Sequence, residues 1–277
     1  MKKSILSNDE LRNFAHRIRL DVLKMTADAG ANGGHIGGAF SSAEILAVLY
    51  GGVMNVSPER FSDEERDRFI LSKGHCAIAH YAALKEAGFM TEEDLSAFEV
   101  SGSKFPTHEV MRLQNGIETS SGSLGYGLSV GIGCALAAKL RGRKYHTYVL
   151  LGDGECNEGT VWEAAMSAVR FGTENLTAIV DVNGQSLDGM TADVMPVKNM
   201  AGVWAGFGWH VTETDGNDVA QLVQAFADKA EGKPHVLLAR TLKAKGIPSI
   251  EGKTGWHHAR LTEIQYKNLL EELENAI

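Results

Sequence analysis

From His146 onward the chain alternates between short β-rich runs and helical segments, and this alternation restricts the possible folds more than any other feature. His146-Thr-Tyr-Val-Leu-Leu151, Leu176-Thr-Ala-Ile-Val-Asp181, Trp209–Thr214 and Val236–Arg240 read as strands. Helical patterns at Thr160–Phe171, Val197–Phe207 and Asp218–Ala230 fall between them. Such interleaving implies βαβ units: an α/β fold with a doubly wound, mainly parallel sheet and helices on both faces. The first 145 residues read as mainly helical, with Gly/Ser/His loops. Ser7-Asn-Asp-Glu10 is a capping box, and Leu11, Phe14, Ala15, Ile18, Val22 and Met25 follow at helical spacing toward Gly30. Ser41 to Glu44 repeats the capping pattern before a second apolar run. No linker or internal repeat interrupts the 277 residues, so a single domain over 1–277 is expected.

Charge and cysteine content exclude several classes. A formal net charge of −8 argues against a general nucleic-acid or membrane-surface binder. Cys76, Cys134 and Cys156 are odd in number and lack CxxC spacing, which argues against a disulfide framework or zinc knuckle and fits a reducing cytoplasm. Met1-Lys-Lys-Ser4 leads into a polar helix start, so it does not read as a signal peptide. Tyr126–Leu140 is apolar but too short and glycine-rich for a membrane span, and is expected to be a buried helix.

In parallel sheets, ligands bind beyond the carboxyl ends of the strands. The segments leaving those ends are Gly152-Asp153-Gly154, Val182-Asn183-Gly184-Gln185 and Asp215-Gly216-Asn217. Glycines and a following helix N-terminus suit a phosphate. Asp153 repels a phosphate unless a divalent cation lies between them. Mg2+ or Ca2+ would take oxygens from Asp153, the Asn183 side chain and a backbone carbonyl near Gln185. Alone, Gly-Asp-Gly also serves a tight turn and Asn183 a strand end. Together, one helix apart, they fall at one edge of the sheet.

Gly152-Asp-Gly through Asn183 matches the thiamine diphosphate signature, and Gly-Asp-Gly-Glu-Cys-Asn-Glu-Gly-Thr-Val-Trp-Glu-Ala resembles transketolase. Nearly the whole chain is similar to the N-terminal part of that family, which binds the diphosphate and metal of thiamine diphosphate. The resemblance implies that Asp153, Asn183 and the Gln185 carbonyl are metal ligands and that Gly154 touches the diphosphate. It matches Gly122 and Leu124 to the loop beside the cofactor rings, and Lys73 and Lys243 to lysines near the cofactor; both lysines also read as solvated surface residues. Glu158 matches a glutamate at the subunit interface; the plainer reading is a solvated charge.

Four loop histidines acquire roles by the same resemblance. His35, His75, His108 and His257 match residues that bind sugar hydroxyls and move protons, and His75 and His257 also match diphosphate contacts. Imidazoles suit this work because they donate and accept near neutral pH. The chain departs from the common pattern in reading Gly-His-Ile and Thr-His-Glu where many transketolases read Gly-His-Pro. It also has Gly125-Tyr126-Gly127 for Gly-Gln-Gly and His258 for a glycine. These departures bear on sugar specificity, with a branched or sulfonated sugar as an alternative to a pentose phosphate.

The family's glutamate for the aminopyrimidine and its sugar-phosphate arginines belong to a second domain. The resemblance therefore implies the N-terminal subunit of a split transketolase, paired with a C-terminal subunit in a two-plus-two heterotetramer and transferring a two-carbon ketol unit between sugars or sugar phosphates. Three other readings are open: a 2-oxo acid dehydrogenase decarboxylase component, which lacks the histidine set; a nucleotide-binding protein, for which Gly122–Gly133 lacks a preceding strand; and a non-catalytic scaffold subunit.

Overall fold

The computed structural model describes residues 5–276, so Met1-Lys-Lys-Ser4, on which the signal-peptide reading rests, lies outside the described residues. Five strands, β1 (Arg68–Leu71), β2 (Thr147–Gly152), β3 (Leu176–Val182), β4 (His210–Asp215) and β5 (His235–Arg240), pair in the order β1-β2-β3-β5-β4, all parallel. The α/β doubly wound fold expected from the alternation is therefore present, with a fully parallel sheet.

Helices are α1 (Asn8–Asp28), α2 (Ile36–Ser41), α3 (Ala43–Val48), α4 (Ala77–Glu86), α5 (Glu92–Ser96), α6 (Tyr126–Leu140), α7 (Gly159–Arg170), α8 (Thr191–Val194), α9 (Met200–Phe207), α10 (Val219–Ala227) and α11 (Glu263–Glu274). The two-residue period of the strands divides the core between the faces. Tyr148 and Leu150 of β2, Ile179 of β3, and Leu237 and Ala239 of β5 pack with α1, α3, α4, α10 and α11. Val149 and Leu151, Ala178 and Val180, and Val236 and Leu238 face α6, α7 and α9.

Local sequence accounts for the ends of α1: Ser7 and Glu10 make the expected reciprocal capping box, and Gly30 follows the helix in a left-handed conformation. The second capping pattern is not used as a cap. Ser41 lies inside α2 and donates to Asp181, while Glu44 is buried and accepts from Arg19 Nη2 at 2.6 Å. The region expected to be mainly helical also supplies β1, four residues long and followed directly by Ser72-Lys73-Gly74-His75. That strand brings His75 to the same sheet edge as Asp153. Helix α6 is only half-buried: Leu128, Gly131, Ile132, Ala135 and Ala138 face the core, whereas Tyr126, Val130 and Leu140 are exposed. Among the described residues, no helix is long and apolar enough to cross a membrane.

Candidate active site

Asp153 and Asn183 leave adjacent strands whose register pairs Gly152 with Asp181. The loops are tied together: Asp153 Oδ2 accepts from Gly184 N–H at 2.7 Å and Oδ1 from Gly154 N–H at 2.9 Å. Asp153 is buried, and its carboxyl is pushed up to about 6 by that burial and then by the neighbouring Asp181 carboxylate. A carboxylate in this state is short of positive charge. Asn183 Nδ2 donates to Asp181 Oδ2 at 3.1 Å, which leaves Oδ1 to accept from Gln185 N–H at 3.1 Å.

Beneath these loops lies a buried ion pair between Lys73 and Asp181, 1% and 0% exposed at their side chains. Ser41 and Thr241 hydroxyls also donate to Asp181. Burial alone would raise the Asp181 carboxyl, but Lys73 and the hydroxyls outweigh it and hold it below the usual range. Lys73 is thus no surface lysine; its ammonium is committed to Asp181 and the Gly38 carbonyl. Lys243 is buried too. Its Nζ lies 3.1 Å from the Ser186 carbonyl, 3.5 Å from the Gln185 carbonyl and 3.3 Å from His257 Nδ1, and burial lowers its pKa. The next residue, Ala244, holds a left-handed backbone (φ 59°), a strained conformation for alanine, and donates to the Gly37 carbonyl at 3.0 Å.

The imidazoles converge above this floor. Gly34 and Ala259 exchange backbone hydrogen bonds at 2.9 Å, which lays the His35 loop against the His257 loop. The approach is so close that a Cβ on Gly33 would stand 2.1 Å from the Ala259 oxygen, and one on Gly37 2.4 Å from that of Trp256. His35 is the hub: its ring centroid lies 4.7 Å from His258, 5.4 Å from His257, 5.5 Å from His75 and 5.9 Å from His108. His75 and His257 are 5.0 Å apart. Burial lowers His35 to about 3, with His258, His257 and His108 adding to the shift. Burial and then the Lys243 charge lower His257 to about 4. His75 is lowered to about 2 by burial and then by the Lys73 charge. At neutral pH these three rings are uncharged, each with one N–H and one lone pair to offer.

The other predicted positions surround the cluster. Gly122 has φ +135°, and a Cβ there would lie 3.5 Å from His108. Leu124 is half-buried in the same loop. Ser72, Ser121, Ser123 and Tyr126 line a cavity of about 190 Å³ on its far side. Gly154 faces Ser186, 3.3 Å from where its Cβ would stand. Glu158 is exposed and packs against Gly125. Sequence reasoning gave no role to Glu155, whose buried carboxylate accepts from Gly125 N–H at 2.8 Å, Gly152 N–H at 2.9 Å and the Ser72 hydroxyl. It fastens three loops of the site, although burial raises its pKa. Its only signal was a glutamate inside a glycine-bounded turn.

Among the described residues, no group of three His, Cys, Asp or Glu side chains is placed to share a metal ion. Any ion here would depend on one carboxylate and neutral oxygens. The under-neutralised Asp153, the oriented Asn183 amide and the Gln185 carbonyl beside the Lys243 ammonium fit a hard divalent cation.

Residues 12–274 match the family profile described as transketolase, thiamine diphosphate binding domain. The chain is 39% identical over 270 residues to an apulose-4-phosphate transketolase subunit of Phocaeicola vulgatus, covering 97% of this chain and 94% of that one. It is 39% identical to the 6-deoxy-6-sulfo-D-fructose transketolase subunit SqwG of Clostridium sp. strain MSTE9, covering 96% of each. The solved transketolase of Pichia stipitis in complex with sedoheptulose 7-phosphate superposes with a TM-score of 0.85 at 30% identity, over 97% of this chain but 41% of that one. The chain thus spans about two-fifths of the length of the solved transketolases it matches.

Proposed function

Because this chain belongs to the transketolase thiamine diphosphate-binding family, we propose that it is the diphosphate- and metal-binding subunit of a two-chain transketolase that moves a two-carbon ketol unit from a ketose to an aldose. The observation that carries the reading is the convergence of four imidazoles on His35 above the Asp153–Asn183 edge. Asp153, Asn183 and the Gln185 carbonyl would hold Mg2+ or Ca2+, with Gly154, His75, His257 and Lys243 toward the diphosphate. When bound, thiamine diphosphate supplies the nucleophilic carbon for C–C bond exchange. The chain's own imidazoles bind the sugar's hydroxyls and exchange protons with its oxygens. His35, uncharged at neutral pH, has a lone pair to accept a hydrogen bond from a sugar hydroxyl and an N–H to donate to a developing alkoxide. His108, exposed at the outer side of the cluster, faces the more distant part of a sugar.

Two relatives named as subunits, matched over nearly their full lengths, support a partner chain. The exposed Tyr126 and Val130 of α6, Met166 of α7 and the adjacent Glu158 support a protein interface beside the candidate cofactor loop. The sugar is the finer question. The relatives' names specify apulose 4-phosphate and 6-deoxy-6-sulfo-D-fructose, and His258 adds an imidazole 4.7 Å from His35. These points favour a substrate other than the usual pentose phosphates. The test is to purify the chain alone and with a co-purified partner, load thiamine diphosphate and Mg2+, and screen donors and acceptors. No turnover alone, turnover with the partner, and a preference for a branched or sulfonated donor are expected. Turnover by the isolated chain would refute the two-chain reading. A kcat/KM of about 10⁴ M⁻¹s⁻¹ or more with xylulose 5-phosphate and ribose 5-phosphate would refute the unusual-sugar reading.

A further inference from the structure

His80 and Glu109 form a buried pair one residue away from His108. His80, on α4, is 0% exposed and Glu109 is 1% exposed. Glu109 Oε2 lies 2.6 Å from His80 Nδ1, and His80 Nε2 lies 2.7 Å from the Tyr50 hydroxyl. Tyr50 and Phe69 close over the His80 ring, with centroids 5.8 and 4.8 Å away. A carboxylate is costly to bury unless it is paired and hydrogen-bonded, so this chain of three side chains admits few alternative arrangements.

Its placement gives it a task. His108 is exposed, with the His35 ring edge-on at 5.9 Å and the Gly122 loop beside its side chain. The residues beside it are fixed. Phe105 is buried against Tyr81, whose hydroxyl donates to the Pro106 carbonyl at 2.9 Å. On the other side Glu109 is anchored through its side chain to α4, and its carbonyl accepts from Ser121 N–H at 3.0 Å. That second bond joins the His108 loop to the Gly122 loop. Glu109 is thus restrained through both its side chain and its carbonyl, and it directly follows His108 in the chain.

We infer that Glu109, held by His80 and Tyr50, is a positioning residue that sets the direction of His108 in the substrate channel. The inference rests on the reading of His108 as a substrate-contacting residue, so its test must separate the two. The assembled complex with its partner, thiamine diphosphate and Mg2+ is assayed as wild type, H108A, E109A, E109Q and H108A/E109A. E109A is expected to lower kcat about 10²-fold, the scale of an ångström-level misplacement, with thiamine diphosphate affinity unchanged. E109Q, whose amide oxygen still accepts from His80 Nδ1–H, is expected to recover most of that loss. In the H108A background E109A is expected to cost no more than about threefold, because contacting groups that act as a unit are non-additive. If H108A is impaired but E109A is within about threefold of wild type, or the two losses multiply, the inference fails while the His108 reading stands. Near-normal turnover in H108A sinks both. Should E109A fail to assemble, E109D is measured in both backgrounds with the same criteria, since it keeps the charge and shortens the reach to His80.

Discussion

Replacing Lys73 by methionine tests whether the floor of the site is held by charge. The Lys73 and Asp181 side chains are 1% and 0% exposed, and the ion pair joins β1's carboxyl end to β3. Methionine keeps the length of the chain and removes the ammonium. Asp181 would retain Ser41, Thr241 and the Asn183 amide as donors, but no cation. Removing one partner of a buried pair costs about 3–5 kcal/mol because the other charge stays buried and uncompensated. For a chain of this size that corresponds to a loss of roughly 6–20 °C in Tm. Urea unfolding of the chain without cofactor is the assay, since it reads stability apart from turnover. K73M/D181N should be less destabilised than the sum of its single variants, because the amide removes the stranded charge. A K73M loss below about 1 kcal/mol with an unchanged m-value, or strict additivity in the double variant, would refute the argument.

Asp153→Ala should abolish metal-dependent thiamine diphosphate binding in the assembled complex, read by titration calorimetry with Mg2+ or Ca2+; unchanged affinity would place the metal elsewhere. His35→Ala should leave cofactor affinity intact and lower turnover roughly 10²–10⁴-fold if the ring transfers a proton, separated by steady-state kinetics beside cofactor titration. Stability should fall as pH drops below about 6.5: the His75 pKa is depressed on folding, first by burial and then by Lys73, so the unfolded chain binds the extra proton. In that window His75 contributes a slope of about 1.4 kcal/mol per pH unit. H75Q should flatten the pH dependence of the urea midpoint, and an unchanged profile would show that His75 is not buried uncharged.

The fold was legible wherever a strand was long and both its faces were apolar. β2, β3 and β5 carry side chains into two cores at once, so they read as continuous apolar runs, and their ends fall within a residue or two of the expected ones. β1 escaped because Arg68-Phe-Ile-Leu71 offers only four residues, too few to separate a buried strand from a helix fragment. Ser41 and Glu44 misled for a different reason. A capping pattern records what the backbone can use locally, whereas these side chains are taken by Asp181 and Arg19, distant in sequence and buried. Tertiary charge pairing overrode local chemistry.

The candidate site divides along the same line. Asp153 and Asn183 were readable because strand-end position alone places them together. The supports were not. Glu155, Asp181 and Glu109 act through partners 29 to 108 residues away, a relation that no local pattern records. Glu109 shows what such a residue adds. In sequence, Thr-His-Glu was only a departure from Gly-His-Pro. In the fold, its glutamate reaches His80 on α4, and the loop gains a restraint through that side chain. A departure in this loop can therefore be a change in how the loop is held, without being a change in the residue proposed to touch a sugar. On the proposed function, His258, whose ring stands 4.7 Å from that of His35, is a departure that would act on substrate choice directly. On this division, substitution of His258 should shift the ratio of kcat/KM between sugars, while substitution of Glu109 should lower kcat for all of them alike. The donor screen applied to both variants separates the two effects; equal ratios in H258G and wild type would remove His258 from the account of specificity.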